Sequence, residues 1–196
     1  MRVTIFDYGA GNLHSLEKAL AISGATTIVQ TNPARAIETD VLVLPGVGAF
    51  GQAADRLDSA RNEMRSAIRD GLPTIGICLG MQLLFDESDE SPGRGLGVFE
   101  GRVTRLNADR VPHIGWNSVD RVDGAPMSTP ERAYYANSFA ARPGDDRIVL
   151  AWTTHDNDRF PAIVKRGSVI GLQFHPEKSS ADGVRFLGDV LADCVR

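Results

Sequence analysis

Four short apolar runs, at residues 3–7, 26–30, 41–44 and 74–77, constrain this chain most. Stretches with helical spacing follow the first, third and fourth of them. Leu13, Leu16 and Leu20 recur on one face, with Asn12 as the expected cap and Gly24 as the stop. Leu57, Ala60, Met64 and Ile68 mark an amphipathic helix that ends at Gly71, and another helix is expected from Leu79. Such alternation predicts a parallel sheet with helices on both faces. From about residue 98 the texture changes to short β-rich segments separated by Gly, Pro and Asp. The expected strands are 102–106, 117–122, 134–139, 148–153, 162–165 and 169–174, the last two joined by a hairpin turn at Arg166-Gly167-Ser168. A final helix carries Leu187, Val190, Leu191 and Cys194 on one face, which makes Cys194 a core residue. The fold class is therefore α/β: a mostly parallel central sheet flanked by helices, with a β-rich C-terminal half. One domain over residues 1–196 is expected.

Composition excludes several classes. The 25 acidic and 21 basic residues give a net charge of −4, and no Lys/Arg cluster stands out. Neither nucleic acid nor an anionic membrane surface fits that balance. No apolar run approaches a membrane span, and the chain opens directly into a strand rather than a signal peptide. Two cysteines in apolar surroundings make no disulfide framework, and no His, Cys and Asp share metal-ligand spacing. The expectation is a cytoplasmic protein with neither metal nor cofactor.

Gly76-Ile77-Cys78-Leu79-Gly80 directly follows the fourth apolar run. A strand ending in Gly-x-nucleophile-x-Gly turns sharply into a helix and leaves the nucleophile exposed at the strand's carboxyl end. The helix that follows aims its amino end at the sulfur, which favours the reactive thiolate. Near the other end stands His175-Pro176-Glu177. Pro176 pushes His175 into the extended region, and residues two apart in an extended segment share a face. Glu177 can then hold one imidazole nitrogen while the other serves the thiol, the base-and-orienter arrangement a cysteine nucleophile needs.

Acyl transfer also needs donors for an oxyanion. The backbone N–H of Leu79 is the natural first one. A second is expected from Pro45-Gly46-Val47-Gly48, which ends the third strand beside Cys78, and so from Val47 or Gly48. Gly46, Gly48 and Gly51 also match a dinucleotide-binding fingerprint. That reading fails because the next strand ends at Cys78 and not at an acidic residue.

With these motifs in place, the chain resembles the class I (triad) glutamine amidotransferases. The resemblance rests on residues 76–82 together with His175-Pro176-Glu177. Within that class it resembles the glutaminase subunits of imidazole glycerol phosphate synthase, through residues 7–13, Leu44-Pro45-Gly46-Val47-Gly48-Ala49-Phe50-Gly51, Val111-Pro112-His113-Ile114-Gly115-Trp116-Asn117 and Lys178. The match runs nearly end to end and implies a flavodoxin-like glutamine amidotransferase domain.

The resemblance further implies that Cys78 attacks the side-chain amide of glutamine, with His175 and Glu177 completing a triad. The ammonia then passes to a separate cyclase subunit in a heterodimer that serves histidine biosynthesis. It also implies that Gln82, Glu90 and Ser138 hold the substrate, and that Asn12, Trp116 and Lys178 face the cyclase. One departure stands out: the family pattern has His-Ser-Tyr where this chain has Asn137-Ser138-Phe139.

Overall fold

The computed structural model describes residues 1–9 and 13–194. In the first half, β1 (Arg2–Phe6), β2 (Thr26–Gln30), β3 (Val41–Leu44) and β4 (Thr74–Ile77) alternate with five helices. These are α1 (His14–Ile22), α2 (Pro33–Ala36), α3 (Phe50–Leu57), α4 (Arg61–Arg69) and α5 (Leu79–Leu83). The second half contributes β5 (Glu87–Ser88), β6 (Gly101–Arg105), β7 (His113–Ser118), β8 (Asp120–Arg121) and β9 (Arg132–Asn137). It continues with β10 (Phe139–Pro143), β11 (Val149–His155), β12 (Asp158–Arg166) and β13 (Val169–Leu172), and closes with α6 (Ser180–Cys194).

The main sheet has the order β2-β1-β3-β4-β13-β12-β11-β8. Its first five strands are mutually parallel, and β12, β11 and β8 extend it antiparallel. This is the α/β architecture with a β-rich second half that the sequence predicts. Strands β3, β4 and β13 are buried throughout, as strands covered on both faces must be. Alternation splits their side chains between two cores. Val41 and Val43 join Ile75 and Ile77 on the face covered by α1 and α6, whereas Leu42 and Leu44 pack with α3, α4 and α5. No helix among the described residues is long and apolar enough to cross a membrane.

Three local expectations change. The single helix expected across Leu57–Ile68 is two, α3 and α4, separated by a 3-10 turn at Asp58–Ala60. Phe50, Ala53, Ala54 and Leu57 form a separate buried stripe, which the glycines of residues 46–51 disguise as loop. The strand expected over 134–139 breaks at Ser138 into β9, which pairs with β7, and β10, which pairs with β6; the Asn137 side chain spans the break by donating to the Phe139 carbonyl (3.0 Å). Residues 117–122 divide between β7 and β8. The expected cap Asn12 lies outside the described residues. Cys194 is half-buried against the first core, and burial pushes its thiol up to about 11.

His113, on β7, is buried and stacked between Tyr135 and His155, with ring centroids 4.9 and 4.1 Å away. Burial first, and then the neighbouring His155, hold its imidazole down at about 4. The folded chain therefore refuses a proton that the unfolded chain accepts below the ordinary value of about 6.5. Stability from this group is complete above that pH and is lost as pH falls through 6.5 toward 4. At about 1.4 kcal/mol per pH unit the loss is at most about 3.5 kcal/mol. Melting temperature should fall across that window, and His113→Phe should flatten that part of the profile.

Candidate active site

β4 and β13 lie side by side, with Leu172 opposite Ile77, so the segments leaving their carboxyl ends meet. Cys78 follows β4 at the cap position of α5 with φ +48°, an elbow that a non-glycine residue adopts only when its surroundings force it. Those surroundings are backbone. A Cβ on Gly76 would lie 2.7 Å from the Gly80 carbonyl, and one on Gly80 would lie 2.0 Å from the Leu44 carbonyl oxygen. Helix α5 is thus seated directly on β3 and β4, with Cys78 at its amino end.

His175 leaves β13 in an extended conformation. Its backbone is tied on both sides: its N–H donates to the Tyr134 carbonyl (2.9 Å), and its own carbonyl accepts from the Ser179 hydroxyl (2.6 Å). Ser179 Oγ also accepts from the Tyr134 N–H (2.9 Å), which fastens β9 to the same turn. Glu177 Oε1 lies 2.8 Å from His175 Nδ1. The contact arises in the 3-10 turn Pro176–Lys178 rather than in the extended run that the sequence predicts. Burial alone would lower the imidazole of His175. The Cys78 sulfur and the Glu177 carboxylate outweigh burial and push it up to about 10. Sulfur, imidazole and carboxylate therefore form a charge-coupled row in which the ring keeps its proton.

A cleft of about 250 Å³ opens over this row. It is lined by Gly46, Val47, Gly48 and Leu79 beside Cys78, and by Gln82, Glu90 and Ser138 across from them. Gly46 fits between the reacting groups: a Cβ there would sit 2.9 Å from His175 Cε1 and 3.1 Å from Cys78 Cβ. Glu90 accepts from the Phe50 N–H (2.8 Å) and so caps α3, which anchors the far end of the glycine loop. Gln82 donates to the Phe139 carbonyl (3.0 Å) and to Gln173 Oε1 (3.3 Å). Lys178 lies exposed at the cleft's edge. Trp116 is not a core residue; it is 46% exposed on β7, edge-on to Tyr134. Asn12 is outside the described residues. No group of His, Cys, Asp and Glu among the described residues could hold a metal ion.

Two residues at the site were not singled out from sequence. The buried Tyr8 hydroxyl donates to the Pro45 carbonyl and so pins the start of the glycine loop. Burial, followed by the nearby Cys78, raises Tyr8 well above the usual tyrosine range, so it stays a neutral donor. Gln173 is fully buried and places Nε2 3.6 Å from Cys78 Sγ. Its spacing of two from His175 was the available signal, since an extended segment presents both to one face.

A cysteine elbow at the end of one strand beside a His–Glu pair that follows the adjacent parallel strand is the arrangement that thiol-dependent acyl transfer needs, and the comparisons point to the same class. The family described as "Glutamine amidotransferase class-I" matches residues 4–193. The chain belongs to the class-I glutamine amidotransferases. Imidazole glycerol phosphate synthase subunit HisH of Methanopyrus kandleri is 41% identical, covering 100% of each chain. The HisH subunit of Pyrococcus furiosus is 40% identical over 95% of this chain and 96% of its own. Within its class the chain belongs with these HisH subunits. A solved structure described as a glutamine amidotransferase shares the fold at TM-score 0.77, with 20% identity over 97% of this chain and 98% of its own. The structure of PurLQS from Thermotoga maritima does so at TM-score 0.75, with 20% identity over 98% of each.

Proposed function

We propose that this chain hydrolyses glutamine to glutamate and ammonia and hands the ammonia to a cyclase subunit. The pair would make imidazole glycerol phosphate and aminoimidazole carboxamide ribonucleotide in histidine biosynthesis, in the cytoplasm. The observation that carries the reading is the full-length likeness to HisH subunits in a chain whose Cys78 and His175 line one cleft, with Glu177 behind the imidazole at Nδ1.

The Cys78 thiolate attacks the side-chain amide carbon of glutamine. The oxygen that becomes negative is met by the Leu79 N–H and by backbone N–H groups at Val47 or Gly48. His175 gives its proton to the departing nitrogen, and ammonia leaves a glutamyl thioester. Water then attacks the thioester with His175 as base, the sulfur departs as thiolate, and glutamate is released. Glu177 holds the ring through Nδ1 in both halves. The second carboxylate oxygen of Glu90 suits the α-ammonium of the substrate. Gln82 and Ser138 complete the polar wall, as the family pattern implies.

The exposed Trp116 and Lys178 fit a partner-facing rim, and Asn12 is assigned to it by family pattern alone. Lys178 has no carboxylate partner among the described residues, so an acidic group of the cyclase is its natural counterpart. The test is glutaminase activity with and without the cyclase and its nucleotide ligand. Little activity alone and much more in the assembled complex is expected. Equal activity in both settings would overturn the coupling.

A further inference from the structure

A chain of buried amides runs from the cleft wall to the sulfur, and its polarity is fixed by one end. The Phe139 carbonyl is an acceptor only. Gln82 Nε2 (3.0 Å) and Asn137 Nδ2 (3.0 Å) both lie against it, so each presents its nitrogen there. The second N–H of Gln82 points at Gln173, 3.3 Å away, and Gln173 must therefore present its oxygen. That leaves the Gln173 nitrogen for Cys78 Sγ, at 3.6 Å. No side chain in the series can turn over without placing two like groups together.

We infer that Gln173 is a dedicated hydrogen-bond donor to the Cys78 thiolate, oriented for that purpose through Gln82. The inference rests on reading Cys78 as the nucleophile. An amide suits this place because it offers a dipole to the sulfur and has no proton to lose. His175 then keeps the proton transfers of the reaction to itself. The donor favours the anionic sulfur over the neutral one, whose S–H has the Ala136 carbonyl (4.0 Å) as an acceptor. The gain applies twice in a turnover: when the resting thiolate forms, and when the thioester breaks and the sulfur leaves as an anion. Gln173 is fully buried, so its amide is not shared with bulk water. The same arrangement links substrate to nucleophile. Glutamine bound against Gln82 presses on the residue that orients the donor.

The experiment is alkylation of the full-length chain by iodoacetamide between pH 5 and 9, with Cys194→Ala removing the other thiol. A hydrogen bond to a charged group is worth enough that Gln173→Met should lower the Cys78 rate at pH 6 about tenfold. The rate at pH 9 should change little, so the ratio of the two rates moves. Gln173→Asn keeps a polar amide but withdraws it by one methylene, and should give the same ratio if the Met variant does not fold. A role confined to packing would lower the melting temperature and leave the ratio at its original value, which would overturn the inference. The nucleophile reading is decided separately: if fully alkylated Cys78 still supports glutamine hydrolysis in the complex, that reading fails whatever Gln173 does.

Discussion

Cys78→Ala should abolish glutamine-dependent synthesis and leave ammonia-dependent synthesis by the partner intact. Loss of a nucleophile from a site of this kind removes at least about 10⁴ of the rate, because the remaining groups cannot form the thioester. The paired assay with glutamine and with ammonium salts separates a chemical defect from a failure to assemble. Retained glutamine-dependent synthesis would show that another group attacks the amide. A companion variant reads the strain at the same position. Cys78 holds φ +48°, a conformation that costs an L-residue about 1–3 kcal/mol and glycine far less. Cys78→Gly should therefore resist urea better than Cys78→Ala although both are inactive. The opposite order would mean that the elbow is unstrained.

Gly80→Val should destroy cooperative folding. A Cβ at Gly80 would lie 2.0 Å from the Leu44 carbonyl oxygen and 2.5 Å from its carbon, both of them backbone atoms of a central strand. The strand cannot yield without breaking its ladder with β1 and β4, and the helix cannot yield without unseating Cys78. The expected cost exceeds about 4 kcal/mol, a large share of the stability of any domain. Gly71→Ala is the control. Gly71 also has positive φ, but nothing lies within 4 Å of a Cβ there, so only backbone strain of about 1–2 kcal/mol applies. Urea denaturation of the two variants should separate close approach from conformational strain. Similar midpoints would mean that α5 is not seated as described.

Much of this was legible in the sequence because the relevant signals are local. The apolar runs became β1 to β4, and glycines on both sides of Cys78 marked an elbow before any contact was known. The reason for those glycines was not legible. Gly80 is required by Leu44, a neighbour only once two strands align. Helix α3 was missed because its start at Phe50 sits against a glycine loop, and its cap, Glu90, comes from far along the chain. Gln173 and Tyr8 escaped for the same reason. Their importance lies in what they touch, and a buried amide or phenol in an apolar strand end has no periodicity of its own. The turn at residues 176–178 places Glu177 against His175, although an extended run predicted the same pairing by a different geometry.

The place of β13 in the sheet has a consequence in time. The strand that leads into His175 comes last in chain order among the described strands, and it inserts between β4 and β12 rather than adding at an edge. The Cys78 N–H donates to the Leu172 carbonyl at the end of that strand (2.6 Å), so β13 both secures the cysteine elbow and leads into His175. A chain in which β13 has not yet inserted lacks both halves of the proposed site, and thiol and base come into place together.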